Sequence, residues 1–400
     1  MLCAAETTLL APIEGTDALM LAQVQAWAAI NSGSDNLAGL ALQAEALAQA
    51  FAPLGGEQTL IEGAPSEIVD AQGELRPRAH GRHVRQVVRP HAPVQVLLTG
   101  HMDTVYPADH PFQHTHFESA HHLNGPGVAD MKGGLAIMLA ALHAFERGCA
   151  AERLGYTILI TSDEEIASPS SNPFLREAAR AAHWGLTYEP SNLPDGTLAG
   201  ARWGSGNFAA TIQGRAAHAG RDPENGRNAL TAACDLALRL EALIGPDLRV
   251  NPARIDGGGP NNVVPAHAVL RFNSRPRTIE ARAHAQAAIA AAIATVETAR
   301  DVTIHLHGGF ARPPKPLDAT QQRLFTQVEA AAYDLGQLYA TRDTGGVCDG
   351  NNLAAEGLPV VDTLGARGGL IHSPQEYLLT DSLVERARLS ALLLHRLATA

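Results

Sequence analysis

Apolar residues along the chain fall into two spacings that alternate. The run VQVLLTG over Val94–Gly100 is short, β-prone and apolar enough to be buried on both faces, which predicts a strand inside an enclosed sheet. His83–Arg89, Tyr156–Ser162, Trp184–Glu189 and Leu358–Thr363 read as further strands. Between and around them, apolar positions recur at helical spacing over Asp17–Ile30, Asn36–Phe51, Leu135–Arg147, Pro173–Ala182, Leu317–Tyr333 and Leu383–Ala398. Strands alternating with helices predict an α/β layer built on a mostly parallel sheet.

Around Leu198–Arg202 the pattern changes. Phe208–Gly214 reads as a strand, Asn228–Ile244 as a helix, Leu248–Gly257 and Ala268–Arg275 as strands, Ile279–Thr298 as an Ala-rich helix and Val302–Phe310 as a strand. The order β-α-β-β-α-β is that of a ferredoxin-like α+β sandwich. It predicts an inserted domain over 200–311, flanked by a first domain in two parts, 1–199 and 312–400. The segment ARPPKP, Arg312–Pro316 with the preceding alanine, reads as a stiff linker back to the first domain.

The formal net charge of −11 comes without a Lys/Arg-rich stretch, which argues against nucleic acid or an anionic membrane as partner. Four widely separated cysteines form no CxxC pair. The acidic N-terminal stretch does not look like a secretory signal, and the uninterrupted apolar runs are shorter than the ~18 residues of a bilayer span. The default expectation is a cytoplasmic protein.

Chemistry concentrates where predicted strands end. His101 and Asp103 follow the first buried strand, Asp163, Glu164 and Glu165 the second, and Glu189 closes the third. Asp130 sits between Gly-rich turns before a helix, and GARGGLIHSP brings in His372. Open α/β sheets bind ligands at the carboxyl ends of their strands. Two imidazoles and several carboxylates at one such edge make an N/O donor set suited to zinc or a similar divalent ion. Neighbouring side chains on an extended segment point to opposite sides, so one of Glu164 and Glu165 would ligate and the other act as a base. The isolated histidines His80, His110, His114, His116, His121, His122, His305 and His307 read as structural.

Taken in order, HMDTVYP, GPGVADMKGG, TSDEE, TYEP and IHSP resemble the dinuclear zinc exopeptidases and deacylases, the family of glutamate carboxypeptidase, acetylornithine deacetylase and succinyl-diaminopimelate desuccinylase. The resemblance runs over nearly the whole chain. It implies two divalent ions, most simply Zn²⁺ with Co²⁺ or Mn²⁺ as alternatives. His101, Asp130 and Glu189 would hold one ion and Asp130, Glu165 and His372 the other, with Asp130 shared. Glu164 would be the general base, Asp103 would orient His101, and the Asp130–Met131 peptide would be cis.

Within the inserted domain, GRAAHAGRDPENGRNA implies that His218 reaches the partner subunit's site and stabilises the oxyanion, so that the lid mediates a homodimer. NNVVP and FNSRPR put Asn262 and Arg275 where the family grips a substrate carboxylate, and DTGGVCDGN puts Gly345 and Gly346 on the loop lining that pocket. Asn273 and Val347–Cys348 depart from glutamate carboxypeptidase-like members, which usually carry Asp at the first position and Thr in the second. Glu189, rather than Asp, resembles the carboxypeptidase and deacylase branch. The implied reaction is hydrolysis of the amide bond of an N-acyl amino acid or small peptide with a free C-terminal carboxylate. A biosynthetic N-acetyl or N-succinyl deacylase is the alternative, and a non-catalytic binding protein of the same fold a remote one.

Overall fold

The computed structural model describes residues 1–400. Its larger core surrounds a six-stranded sheet in the order Glu57–Ile61, His83–Val88, Leu154–Thr161, Val94–His101, Trp184–Thr187, Val360–Val361. The four strands from Leu154–Thr161 onward run parallel to one another, while His83–Val88 pairs antiparallel with both Leu154–Thr161 and Glu57–Ile61, so the sheet is mixed with a parallel centre. Val94–His101 lies between two parallel neighbours with its last six residues buried, as its apolar run predicts.

Helices cover both faces. Asn36 caps the helix Leu37–Phe51 by accepting from the Gly39 N–H, and Asp318 caps Ala319–Asp334 by accepting from Thr320 and Gln321. The helix Gly133–Glu146 is buried on nearly every side. Gly134 lets it meet the strand edge, since a Cβ there would lie 2.0 Å from the Tyr188 carbonyl oxygen. By length and hydropathy Val128–Glu146 and Leu37–Leu54 both reach the measure of a bilayer span, although polar residues interrupt their apolar runs. The first is 89 % buried inside the fold, and that burial accounts for its composition.

A second core of 19 buried residues belongs to a four-stranded antiparallel sheet, in the order Leu248–Gly257, His267–Pro276, Ser205–Gln213, Thr303–Arg312, packed on the helices Ala229–Glu241 and Ile279–Arg300. The element order is β-α-β-β-α-β. Phe208, Val250, Leu270 and Phe272 enter this core from one face of the sheet. The alternate residues Asn207, Arg249, Asn251, Asn273 and Arg275 therefore share the other face, which looks toward the larger unit.

Two expectations need correcting. Leu358–Thr363 forms only a two-residue strand, Val360–Val361, because the chain turns away and Thr363 makes an isolated antiparallel bridge to Tyr188. Leu198–Arg202, where the pattern changes, pairs in parallel with Thr341–Thr344 as a separate two-stranded sheet. The ARPPKP segment is not a free-standing spacer. Arg312 ends a strand, Lys315 exchanges backbone hydrogen bonds with Arg202, and Lys315 Nζ lies 2.7 Å from the buried Asp362 carboxylate. The two chain crossings between the units are thus zipped together.

Candidate metal centre

Five side chains, three from strand ends (His101, Glu165, Glu189) and two from connecting segments (Asp130, His372), meet at the carboxyl edge of the central sheet. Asp130 is at their middle. Its Oδ1 lies 3.0 Å from His101 Nε2 and its Oδ2 3.3 Å from His372 Nε2, so each carboxylate oxygen faces a different imidazole. Glu189 Oε2 is 3.7 Å from His101 Nε2, and Glu165 Oε2 is 3.2 Å from His372 Nε2. His372 is half-exposed, with its backbone in the left-handed region at φ 61°, which only a tightly determined loop holds in a non-glycine residue.

The segment carrying Asp130 is held from behind. Gly127 turns it at φ 70°, and the Asp130–Met131 peptide is cis. Glu376, buried, accepts from the backbone N–H of Gly127 (3.1 Å), Ala129 (3.0 Å) and Asp130 (3.0 Å) and from the Tyr106 hydroxyl (3.0 Å). Sequence reasoning stopped at His372 and missed this residue, although it sits in the same IHSPQE stretch. Loss of this carboxylate strands buried donors, each worth about 1–3 kcal/mol. Glu376→Gln and Glu376→Ala are expected to weaken metal affinity ~10–100-fold, the usual scale for partners that orient a ligand. Chelator-competition titration measures it, and wild-type affinity in both variants would contradict the role.

Asp103 does more than face His101. The His101 Nδ1 contact is to the Asp103 backbone carbonyl at 3.0 Å, with the carboxylate at 3.5 Å. The carboxylate itself accepts from Ser34 Oγ and from the backbone N–H of Glu164 and Glu165 at 3.1 Å each. It ties the end of one strand to the turn after the next. That turn is a 3-10 helix, Glu164–Ile166, rather than the extended segment anticipated, yet its two glutamates still diverge. Glu165 turns to His372, and Glu164 to Arg312, whose Nη2 lies 2.6 Å from Oε1. Asp163 belongs to the scaffold, accepting from the hydroxyls and backbone of Ser170 and Ser171.

Arg312 was also missed, because it was assigned to a linker. It is buried, and it bonds Asp349 Oδ1 at 2.7 Å as well as Glu164. Burial raises the Glu164 carboxyl well above its ordinary range, with Arg312 pulling the other way and Glu189 adding to the rise.

The donor atoms suit divalent cations. His101, Asp130 and Glu165 converge as one group, and His101, Glu164 and Glu189 as another. Burial, then the charge of Asp130, pushes the Glu165 carboxyl up to about 7, and burial raises Glu189 too. Burial also opposes ionisation of Asp130, but hydrogen bonds from His101 and His372 outweigh it and hold that carboxyl low. His372 rises to about 11 through its hydrogen bonds to Asp130 and Glu165. A divalent ion entering this cluster would displace the protons these groups otherwise share, leaving carboxylates and neutral imidazole nitrogens, the ligands zinc-like ions take.

These groups open into a cavity of about 450 Å³. Its far wall carries Arg202, Asn207, Asn273, Arg275 and Gly346. The Gly345 carbonyl fixes Arg275 by accepting from Nη1 at 2.8 Å. His218 and Asn262 do not line the cavity. They neighbour each other on the inserted unit, where His218 Nδ1 accepts from the Gly220 and Arg221 N–H groups and the Asn262 carbonyl accepts from Ala219.

Residues 97–396 match the peptidase family M20/M25/M40. The chain belongs to that family. Carboxypeptidase G2 of Pseudomonas sp. (strain RS-16) is 30 % identical over 317 residues, 75 % of this chain and 73 % of the relative. Succinyl-diaminopimelate desuccinylase 2 of Shewanella loihica is 28 % identical over 76 % of this chain and 85 % of its own. A tripeptidase of Staphylococcus aureus shares the fold, with a TM-score of 0.74 at 19 % identity over 96 % of this chain and 99 % of that one. The M20 chain described here is a metal-dependent hydrolase.

Proposed function

We propose that this M20 hydrolase cleaves the amide bond of an N-acyl amino acid or small peptide that ends in a free carboxylate. The observation that carries the reading is Arg275. It stands on the cavity wall facing the metal-type cluster, and its hydrogen bonds inside the chain go to the neutral Asn273 Oδ1 and Gly345 carbonyl. A guanidinium so placed is free to take a carboxylate in a bidentate grip.

His101, Asp130 and Glu189 would hold one divalent ion and Asp130, Glu165 and His372 the second, with zinc the best fit to the N/O set and cobalt or manganese as substitutes. When bound, the ions supply Lewis acidity, lowering the pKa of water and polarising the scissile carbonyl. Glu164 takes the proton of the attacking water and returns it to the leaving amine. Its raised pKa suits a group that must hold that proton between the two steps. Arg312 keeps its carboxyl oriented, and Arg275 fixes the substrate, converting the encounter into an aligned one.

His218 and Asn262 lie outside the cavity of their own chain, which favours their action in the partner subunit's site, His218 on the oxyanion and Asn262 on the carboxylate. The protein would then work as a cytoplasmic homodimer. A monomer by sedimentation with full activity would remove this part of the reading.

The zinc-loaded protein should be assayed on N-acetyl, N-succinyl and peptidyl substrates, each as free acid and as carboxamide. Arg275→Ala is expected to raise KM about 10–100-fold for the acids, the loss of a charge-assisted grip, and far less for the carboxamides. Equal effects on both would count against Arg275. Preference for N-acetyl or N-succinyl amino acids over peptides would favour a biosynthetic deacylase, the reading that the desuccinylase likeness supports.

A further inference from the structure

In the stretch DTGGVCDGN, Gly346 lines the cavity, but Asp349, Gly350 and Asn351 turn away from it and are buried. They open the helix Asp349–Ala355 and form the seat of both chain crossings between the two units. Asn351 Nδ2 donates to the Trp203 carbonyl at 2.9 Å in one crossing and to the Pro313 carbonyl at 2.7 Å in the other. Gly350 packs against Asp362, the shared partner of Arg202 and Lys315, so closely that a Cβ would lie 2.6 Å from its Oδ2.

Asp349 holds a side chain rather than a backbone. Its carboxylate accepts from Arg312 Nη1 at 2.7 Å, from Thr161 Oγ1 at 3.2 Å and from Ser168 Oγ. Arg312 is the last residue of the strand Thr303–Arg312, and its guanidinium reaches out of the inserted unit toward the metal-type cluster. Its Nη2 donates to Glu164 Oε1 at 2.6 Å, and to the Glu164 carbonyl and Ser168 Oγ at 3.0 Å each. The planar fork therefore lies between two carboxylates, one hydrogen-bonded on each side. Arg312 and Glu164 are long side chains with many rotamers, whereas Asp349 has a short stem rooted in a helix. Asp349 is the fixed point of the three.

We propose that Asp349 is a positioning residue for the reaction: it clamps Arg312, and through Arg312 holds the Glu164 carboxyl where it exchanges a proton with water and leaving amine. The inference rests on the general-base role proposed above for Glu164. Asp349 borders neither the cavity nor the groups that converge as metal donors, so it touches neither substrate nor ion. Its influence should fall on kcat and spare KM.

The test uses zinc-loaded protein and the N-acyl amino acid or peptide that it cleaves best. Asp349→Asn keeps the shape and removes the charge that grips Arg312, and is expected to lower kcat about 10–100-fold, the scale of a small misplacement of a reacting group. KM and the two bound zinc ions should be unchanged. Arg312→Lys, a point charge that cannot span both carboxylates, should act in the same direction, and it carries the test if Asp349→Asn shows no cooperative melting. The deciding readout is the double variant. In a Glu164→Gln background neither substitution should lower kcat further, because residues that act as a unit are not additive. An equal loss in both backgrounds, a loss confined to KM, or departure of zinc would overturn the proposal. If Glu164→Gln is slow while Asp349→Asn matches the wild type, this inference alone falls. If Glu164→Gln itself turns over normally, the general-base reading falls and takes the inference with it.

Discussion

Glu164→Gln is expected to lower kcat by at least ~10²–10⁴, the span of a lost general base, while two metal ions remain bound. The substitution keeps shape and removes only the ability to accept and return a proton. Arg312 loses one charged contact at 2.6 Å but retains Asp349 Oδ1 and the Glu164 backbone carbonyl, so the pocket wall should stay in place. The measurement also separates two readings of this side chain. Glu164 lies close enough to His101 and Glu189 to serve as a ligand itself. In that case the variant would lose metal as well as turnover. Retained metal with near-normal turnover would remove Glu164 from the chemistry altogether.

Asp130→Ala is expected to empty the centre, whereas His101→Ala should leave one ion bound. The asymmetry follows from geometry, because the two oxygens of Asp130 face His101 and His372 separately, while the carboxylates in contact with His101 Nε2 are Asp130 at 3.0 Å and Glu189 at 3.7 Å. Removing Asp130 deletes a donor from both ion sites and leaves Glu165 and His372 with only each other. Elemental analysis after dialysis against metal-free buffer gives the count. Two ions in Asp130→Ala, or none in His101→Ala, would contradict a shared aspartate.

The strand ends that build this centre are readable in the chain because their strands are buried on both faces and so appear as unbroken apolar runs. Val94–His101 and Leu154–Thr161 announce themselves in that way, and the ligands follow at once. The edge strand Glu57–Ile61 escapes, since its partly exposed residues mix polar and apolar types. Val360–Val361 was drawn too long because an apolar run gives no sign of where pairing stops.

Polar residues buried at long range are the least readable. Arg312 reaches Glu164 across 148 residues of sequence and Glu376 reaches Asp130 across 246. Arg312 is the last residue of its strand and Glu376 lies in a loop, so no alternating pattern runs past either to betray its direction. Arg312 even stands in a proline-rich stretch that local composition assigns to a spacer. Their roles appear only when the fold brings the partners together.

Amide hydrolysis by this chain is proposed to depend on two metal ions held by one set of five side chains. Titrating zinc into chelator-stripped protein while following hydrolysis of an N-acyl amino acid tests it most directly. Activity should be absent in the stripped protein and reach its plateau at two equivalents of zinc per chain. Full activity without metal, or a plateau at one equivalent, would contradict the account.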